Sequence, residues 1–121
     1  MEENVAGEHA PWSEYSVLVV DDELPIHRLF ARLFAREGVQ VLAAPDGEAA
    51  LAAAAAAHPA LILLDLNLPG MDGLDTLRAL RAAGESAHVV ILTGQATLPS
   101  AREAMRLGAY DYITKPFNPD F

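Results

Sequence analysis

The chain has 121 residues, 52% of them hydrophobic, which is enough apolar material for one compact domain and too much for a disordered chain. It contains no cysteine, so disulfides and thiolate metal sites are excluded, and no apolar run approaches the ~20 residues of a membrane helix. A formal charge of −9 repels nucleic-acid phosphates and suits a divalent cation or a partner with a basic face.

Residues 1–14 are acidic, lack an apolar core and do not read as a secretion signal. They form a loose leader to a domain over 15–121, with Trp12 and Tyr15 placed to pin its end. A cytoplasmic location is expected. The run YSVLVV, 15–20, predicts a buried strand that ends at Asp21-Asp22. Over 24–38, Ile26, Leu29, Phe30, Leu33 and Phe34 recur at helical spacing, with Pro25 in the first turn and Gly38 as the stop. A second strand covers 39–44. A helix follows over 46–58, where Asp46 can cap and six consecutive alanines favour helix and allow close packing.

A third strand is predicted over 60–65, ending at Asp65, and a helix over 74–84, ended by Gly84. The fourth strand covers 88–93. The next helix lies within 97–107 and ends at Gly108. Ser100 and Glu103 have the spacing of a capping box there, and Thr97 with Pro99 offers an earlier start. The fifth strand covers 109–114. Strand and helix thus alternate, and strands one, three and four are continuous apolar runs. That pattern predicts a parallel sheet covered by helices on both faces.

In an open α/β sheet, ligands bind outside the carboxyl ends of the strands. The first strand delivers Asp21 and Asp22 to that rim, the third Asp65, the fourth Thr93 and the fifth Lys115; the second delivers only Ala44 and Pro45. Any one acid here could simply cap the helix behind it. Five polar residues at four strand ends make a site the better reading. Three gathered carboxylates repel one another, and a hard divalent cation such as Mg2+, which takes oxygen ligands, resolves the conflict. Neighbouring residues of a strand point to opposite faces, so at least one of Asp21 and Asp22 must belong to the turn.

The chemistry that this set permits is phosphoryl transfer. A carboxylate can attack phosphorus to form an acyl phosphate, and the work left to the protein is positioning and charge neutralisation. The apolar run 61–64 fixes the base of Asp65 so that its carboxylate is aimed. Asn67 offers a backbone carbonyl as a further metal ligand. The cation, Lys115 and the Thr93 hydroxyl would each meet part of the phosphoryl charge. Asp72-Gly73 reads as turn chemistry. His9, His27, His58 and His88 show no ligand spacing and read as surface or helix-end residues. Phe30 and Phe34 read as core, and Tyr110 and Phe117 as core or strand-edge packing. The arginines lie on helices among acids and form no nucleic-acid patch.

The segments VVDDE (19–23), LLDLNLPGMDG (63–73), ILTG (91–94) and YDYITKPF (110–117) together resemble the receiver domains of two-component response regulators, from about Ser16 to Phe117. The resemblance implies a flavodoxin-like doubly wound sheet of order 2-1-3-4-5 and a phosphoacceptor switch rather than an enzyme. Asp65 would take phosphate from a sensor histidine kinase or phosphotransfer protein. Asp21, Asp22, Asp65 and the Asn67 carbonyl would hold Mg2+. Thr93 and Lys115 would bind the phosphoryl oxygens, and Tyr112 would turn inward as Thr93 moves. Gly94 would leave room for the phosphate, Lys115-Pro116 would be a cis bond, and Asn67 and Gln95 would tune dephosphorylation. The stretch 93–117 is most similar to receivers joined to ATP-dependent activators of alternative-sigma-factor transcription, so an output domain or effector is expected downstream.

Receivers also close with a fifth helix after the KPF segment, and this sequence stops at Phe121. An uncovered apolar face there implies self-association as a homodimer. Two other readings compete. A magnesium-dependent aspartyl phosphatase would carry a second acid two residues after the nucleophile, where this chain has Asn67, and would need a cap domain. An unphosphorylated adaptor of the same fold would not need the complete acidic set.

Overall fold

Among the described residues, nine elements alternate strictly. They are β1 (Ser16–Val20), α1 (Leu24–Ala35), β2 (Gln40–Ala44), α2 (Gly47–Ala57), β3 (Leu61–Leu64), α3 (Gly73–Ala82), β4 (His88–Thr93), α4 (Leu98–Arg106) and β5 (Asp111–Thr114). The computed structural model describes residues 14–94 and 97–115. The expectations for His9, Trp12, Gln95, Pro116 and Phe117 lie outside those residues. All strand pairings are parallel and the order is β2-β1-β3-β4-β5, as the resemblance implied.

Period-two alternation sorts the strand residues into two apolar layers. Leu18 and Val20 of β1, with Ile62 and Leu64 of β3, face the side covered by Ala50 and Ala54 of α2, Leu77 and Leu80 of α3 and Ala104 of α4. Val17 and Val19, with Leu63, face the other side, against Ile26, Phe30 and Phe34 of α1. Phe30 and Phe34 stack with ring centroids 6.2 Å apart. No residue of α1 is fully buried. Leu18, Ile62, Leu64, Leu77 and Leu80 are. Truncating one such residue to alanine costs about 2–5 kcal/mol, so the layer beneath α2 to α4 dominates stability.

The alanine run of α2 has a packing reason. Only Gly47, Ala50 and Ala54 of this helix are buried, and a Cβ on Gly47 would collide with the Thr76 hydroxyl of α3. Small side chains let the backbone of α2 approach α3 and the loop before it. Asp46 caps α2 by accepting from the Ala49 amide at 2.8 Å, as expected. His58 ends that helix in the left-handed conformation, φ 47°, which fits its expected helix-end role.

Three local expectations need correction. Asp72 is the N-cap of α3, accepting from the Asp75 amide at 2.9 Å, rather than a residue of the turn alone. The capping box of α4 joins Thr97 to Ser100, and helix begins at Leu98, so the Ser100–Glu103 pairing does not form the cap. Of the two readings for Tyr110, core fails, since it is 67% exposed, and strand-edge packing stands, since its ring meets the edge of His88 in β4 at 5.1 Å. The arginines also differ from a simple solvated face. Arg81 donates to the carbonyls of Glu85, Ala87 and Gly108 at 2.8–3.0 Å, tying the end of α3 to the loop before β5.

Candidate functional site

The backbone ladder runs one residue past the strands at the carboxyl end of the sheet, and that extension carries the site. The Asp21 amide donates to the Ala44 carbonyl at 3.1 Å, the Asp65 amide to Val20 at 3.0 Å, and the Lys115 amide to Thr93 at 2.8 Å. Each functional residue is therefore anchored to the tip of a neighbouring strand before its side chain is considered. Asp21, Asp65 and Thr93 are buried at this rim, and Asp22 is exposed. Both acids lie in the turn after β1, which ends at Val20, so strand alternation does not keep them apart.

Asp21 and Asp65 are held in the same way. Oδ1 of Asp21 accepts from the Glu23 amide at 2.8 Å, and Oδ1 of Asp65 accepts from the Asn67 amide at 3.0 Å. Each acid thus folds over the amide two residues on, the local habit that suits aspartate to turns. Oδ2 of each then meets the same ammonium: Lys115 Nζ lies 2.8 Å from Asp21 and 3.2 Å from Asp65. Glu23 is more distant, at 3.8 Å. Burial disfavours the charged lysine, but the hydrogen bond and charge of Asp21, followed by Asp65, outweigh it and raise its pKa above the ordinary 10.5.

Ligand oxygens of Asp21, Asp22 and Asp65 lie within 4.8 Å of one another. Three carboxylates against one ammonium leave two negative charges locally. The donors are all oxygen and no thiol is present. This set fits a hard divalent cation. The Asn67 side-chain amide donates to the Thr93 hydroxyl at 3.1 Å, which brings the fourth strand into the same pocket. Within β5, three residues before Lys115, the Tyr112 hydroxyl lies 3.1 Å from Ser100 Oγ in the first turn of α4.

The five rim residues read from the sequence therefore converge. Asp21, Asp65 and Lys115 are in direct contact, Asp22 completes the acidic cluster, and Thr93 joins through Asn67. Gly94 lies open, with the Lys115 Cβ at 3.9 Å as the nearest neighbour of a substituent there. Two contributors were missed. Gly73 packs so closely that a Cβ would strike the Leu66 backbone and come within 2.5 Å of the Asp65 carbonyl. His27 Nε2 donates to the Asp21 carbonyl at 2.5 Å. The signal for His27 was its place one turn into α1, because helical side chains lean back toward the helix N-terminus.

A doubly wound parallel sheet with a buried aspartate–lysine cluster at its carboxyl rim defines a phosphoacceptor switch module. The response regulator receiver domain family matches residues 17–121, and this chain belongs to that family. Regulatory protein AtoC of Escherichia coli is 38% identical over 104 residues, which is 86% of this chain and 23% of AtoC. Sporulation initiation phosphotransferase F of Bacillus subtilis is 36% identical, with 86% of this chain and 84% of that protein covered. Among solved structures, the receiver domain of NtrX from Brucella abortus superposes with a TM-score of 0.78 at 40% identity, covering 86% of this chain and 88% of that one. The chain thus spans nearly all of one curated relative and under a quarter of the other. Among the described residues, no helix is long and apolar enough to cross a membrane.

Proposed function

We propose that Asp65 is the phosphoacceptor of a two-component pathway, loaded by a sensor histidine kinase or a phosphotransfer protein. An Asp65 carboxylate oxygen forms a bond to phosphorus as the bond from phosphorus to the donor imidazole nitrogen breaks, and that nitrogen keeps the electron pair. The observation that carries this reading is the sharing of Lys115 Nζ between Asp21 and Asp65, with Asp22 beside them. The lysine sits where it can follow charge from the carboxylate to a phosphoryl oxygen. The carboxylates of Asp21, Asp22 and Asp65 and the Asn67 carbonyl would hold Mg2+. When bound, that ion supplies neutralisation of the equatorial phosphoryl oxygens.

The Thr93 hydroxyl receives another phosphoryl oxygen after the Asn67 amide releases it. Movement of Thr93 is then felt at Tyr112, and through the Tyr112–Ser100 contact at the start of α4. Phosphate thus biases two arrangements of the α4–β5 face. The domain catalyses nothing on a separate substrate and takes part only in its own loading and unloading. It works in the cytoplasm and passes its state to an output domain or effector, a reading supported by the likeness to regulatory proteins such as AtoC.

The test is an intact mass after incubation with acetyl phosphate and Mg2+. The parent gains one phosphoryl group and Asp65→Asn gains none. Undiminished labelling of that variant would move the acceptor elsewhere.

A further inference from the structure

We infer that His27 is a positioning residue for the cation site, acting on Asp22 through the peptide between Asp21 and Asp22; this rests on the assignment of that site made above. The three acids are not held alike. Asp21 and Asp65 each have one carboxylate oxygen on a backbone amide and the other on Lys115. Asp22 is exposed, and among the described residues its carboxylate has no hydrogen bond or ion pair. Its placement depends on its backbone.

A peptide unit is planar, so fixing the carbonyl of one residue also fixes the nitrogen and Cα of the next. The Asp21 carbonyl accepts from His27 Nε2 at 2.5 Å. That one bond sets the plane from which the Asp22 side chain departs. A carbonyl only accepts, so Nε2 carries the hydrogen. The other ring nitrogen, Nδ1, is buried and has no hydrogen-bond partner among the described residues. Burying an unpaired polar atom costs stability, so the ring is a poor choice if its task is to fill space. Its polar task lies at Nε2. Pro25, which holds the first turn of α1, keeps the histidine one turn along in register with the carbonyl.

A purely structural histidine and a positioning one predict different results. Removing the ring nitrogens relieves the unpaired Nδ1, which offsets the loss of the Nε2–H bond, so folding stability without cation is kept. Removing the Nε2–H frees the Asp21–Asp22 peptide, so cation affinity falls. Groups that orient metal ligands typically change metal affinity by about 10–100-fold when removed, and His27 governs one ligand of the set, so the lower end applies.

The experiment is calorimetric titration of the full chain with Mg2+, paired with urea unfolding in chelator. The variants are His27→Leu, His27→Phe and His27→Gln. Leucine and phenylalanine weaken Mg2+ binding by about tenfold and leave the chelator-treated unfolding midpoint at or above that of the parent. Glutamine, whose amide nitrogen reaches the same carbonyl, restores most of the affinity. The phenylalanine variant keeps the ring volume should leucine fail to fold. Equal Mg2+ binding in all variants overturns the inference, and so does an equal loss in the glutamine variant. A loss of affinity that only follows a loss of stability assigns His27 to folding instead. A parent that binds no Mg2+ removes the cation site, and the inference with it.

Discussion

The side-chain amide of Asn67 donates to the Thr93 hydroxyl across 3.1 Å, so the loop after β3 rests on the tip of β4. In this arrangement the hydroxyl that would greet a phosphoryl oxygen is already engaged. Asn67→Ala is expected to lower stability by about 1 kcal/mol or less, the net value of one such bond. Labelling of Asp65 by acetyl phosphate persists, because the Asn67 backbone amide on Asp65 Oδ1 remains. Urea unfolding and intact mass check the two halves. Lost labelling would assign the amide a part in the transfer itself.

Tyr112 and Ser100 allow a pairwise measurement. Tyr112→Phe removes one hydroxyl and is expected to cost about 0.5–1.5 kcal/mol. Ser100→Ala also disturbs the capping box with Thr97, so it costs more, up to about 2 kcal/mol. The double variant should cost less than the sum, and the shortfall measures the 3.1 Å contact. Strict additivity would show that the contact contributes nothing in solution.

Gly73 and Gly70 separate two reasons for glycine in one loop. At Gly73 the space is filled by the backbone of Asp65 and Leu66, and backbone cannot step aside cheaply. Gly73→Ala is expected to destabilise by about 1–3 kcal/mol or more and to displace the acceptor strand tip, lowering the rate of labelling. Gly70 has φ +74° with open space around it, so Gly70→Ala costs only the left-handed penalty, about 1–2 kcal/mol, and labelling is preserved. Similar labelling rates in both variants would contradict the assignment.

Lys115 predicts an alkaline limit to stability. Its folded pKa is raised above the ordinary 10.5, through Asp21 and Asp65 and against the effect of burial. The folded state therefore holds this proton more tightly than the unfolded chain. The stabilisation is complete below pH 10.5 and is lost as pH rises through the folded pKa. In chelator, the parent should exceed Lys115→Met in stability at neutral pH, and the two curves should converge above pH 10.5. A constant gap across that range would refute the linkage.

The strand tips were legible in the sequence because burial and alternation act locally. Four apolar residues before Asp65, and a similar run before Asp21, fix where each acid must emerge, whatever else the chain does. Asp46 was legible as a cap for the same reason. Contacts made across the fold were not. His27 looked like a lone polar residue on a helix, since its partner is a carbonyl, and carbonyls leave no mark in sequence. Gly73 looked like a turn glycine, and its packing against the β3 tip depends on where α3 begins. Ser100 was linked to Glu103 by spacing alone, whereas its partners are Thr97 and Tyr112 of β5.

The inequality of the two sides of the sheet has a dynamic consequence. Among the described residues, the larger layer contains leucines, valines and isoleucines sealed from water, while α1 rests on Val17, Val19 and Leu63 without burying any residue completely. Elements held by few sealed contacts are the first to breathe. Backbone amides of α1 should trade hydrogen for deuterium well before those of β3. This helix hangs directly from the turn that carries Asp21 and Asp22, so a captured ion should tighten it and slow that exchange. A helix that seals none of its own residues is thereby well placed to report that the pocket has been filled.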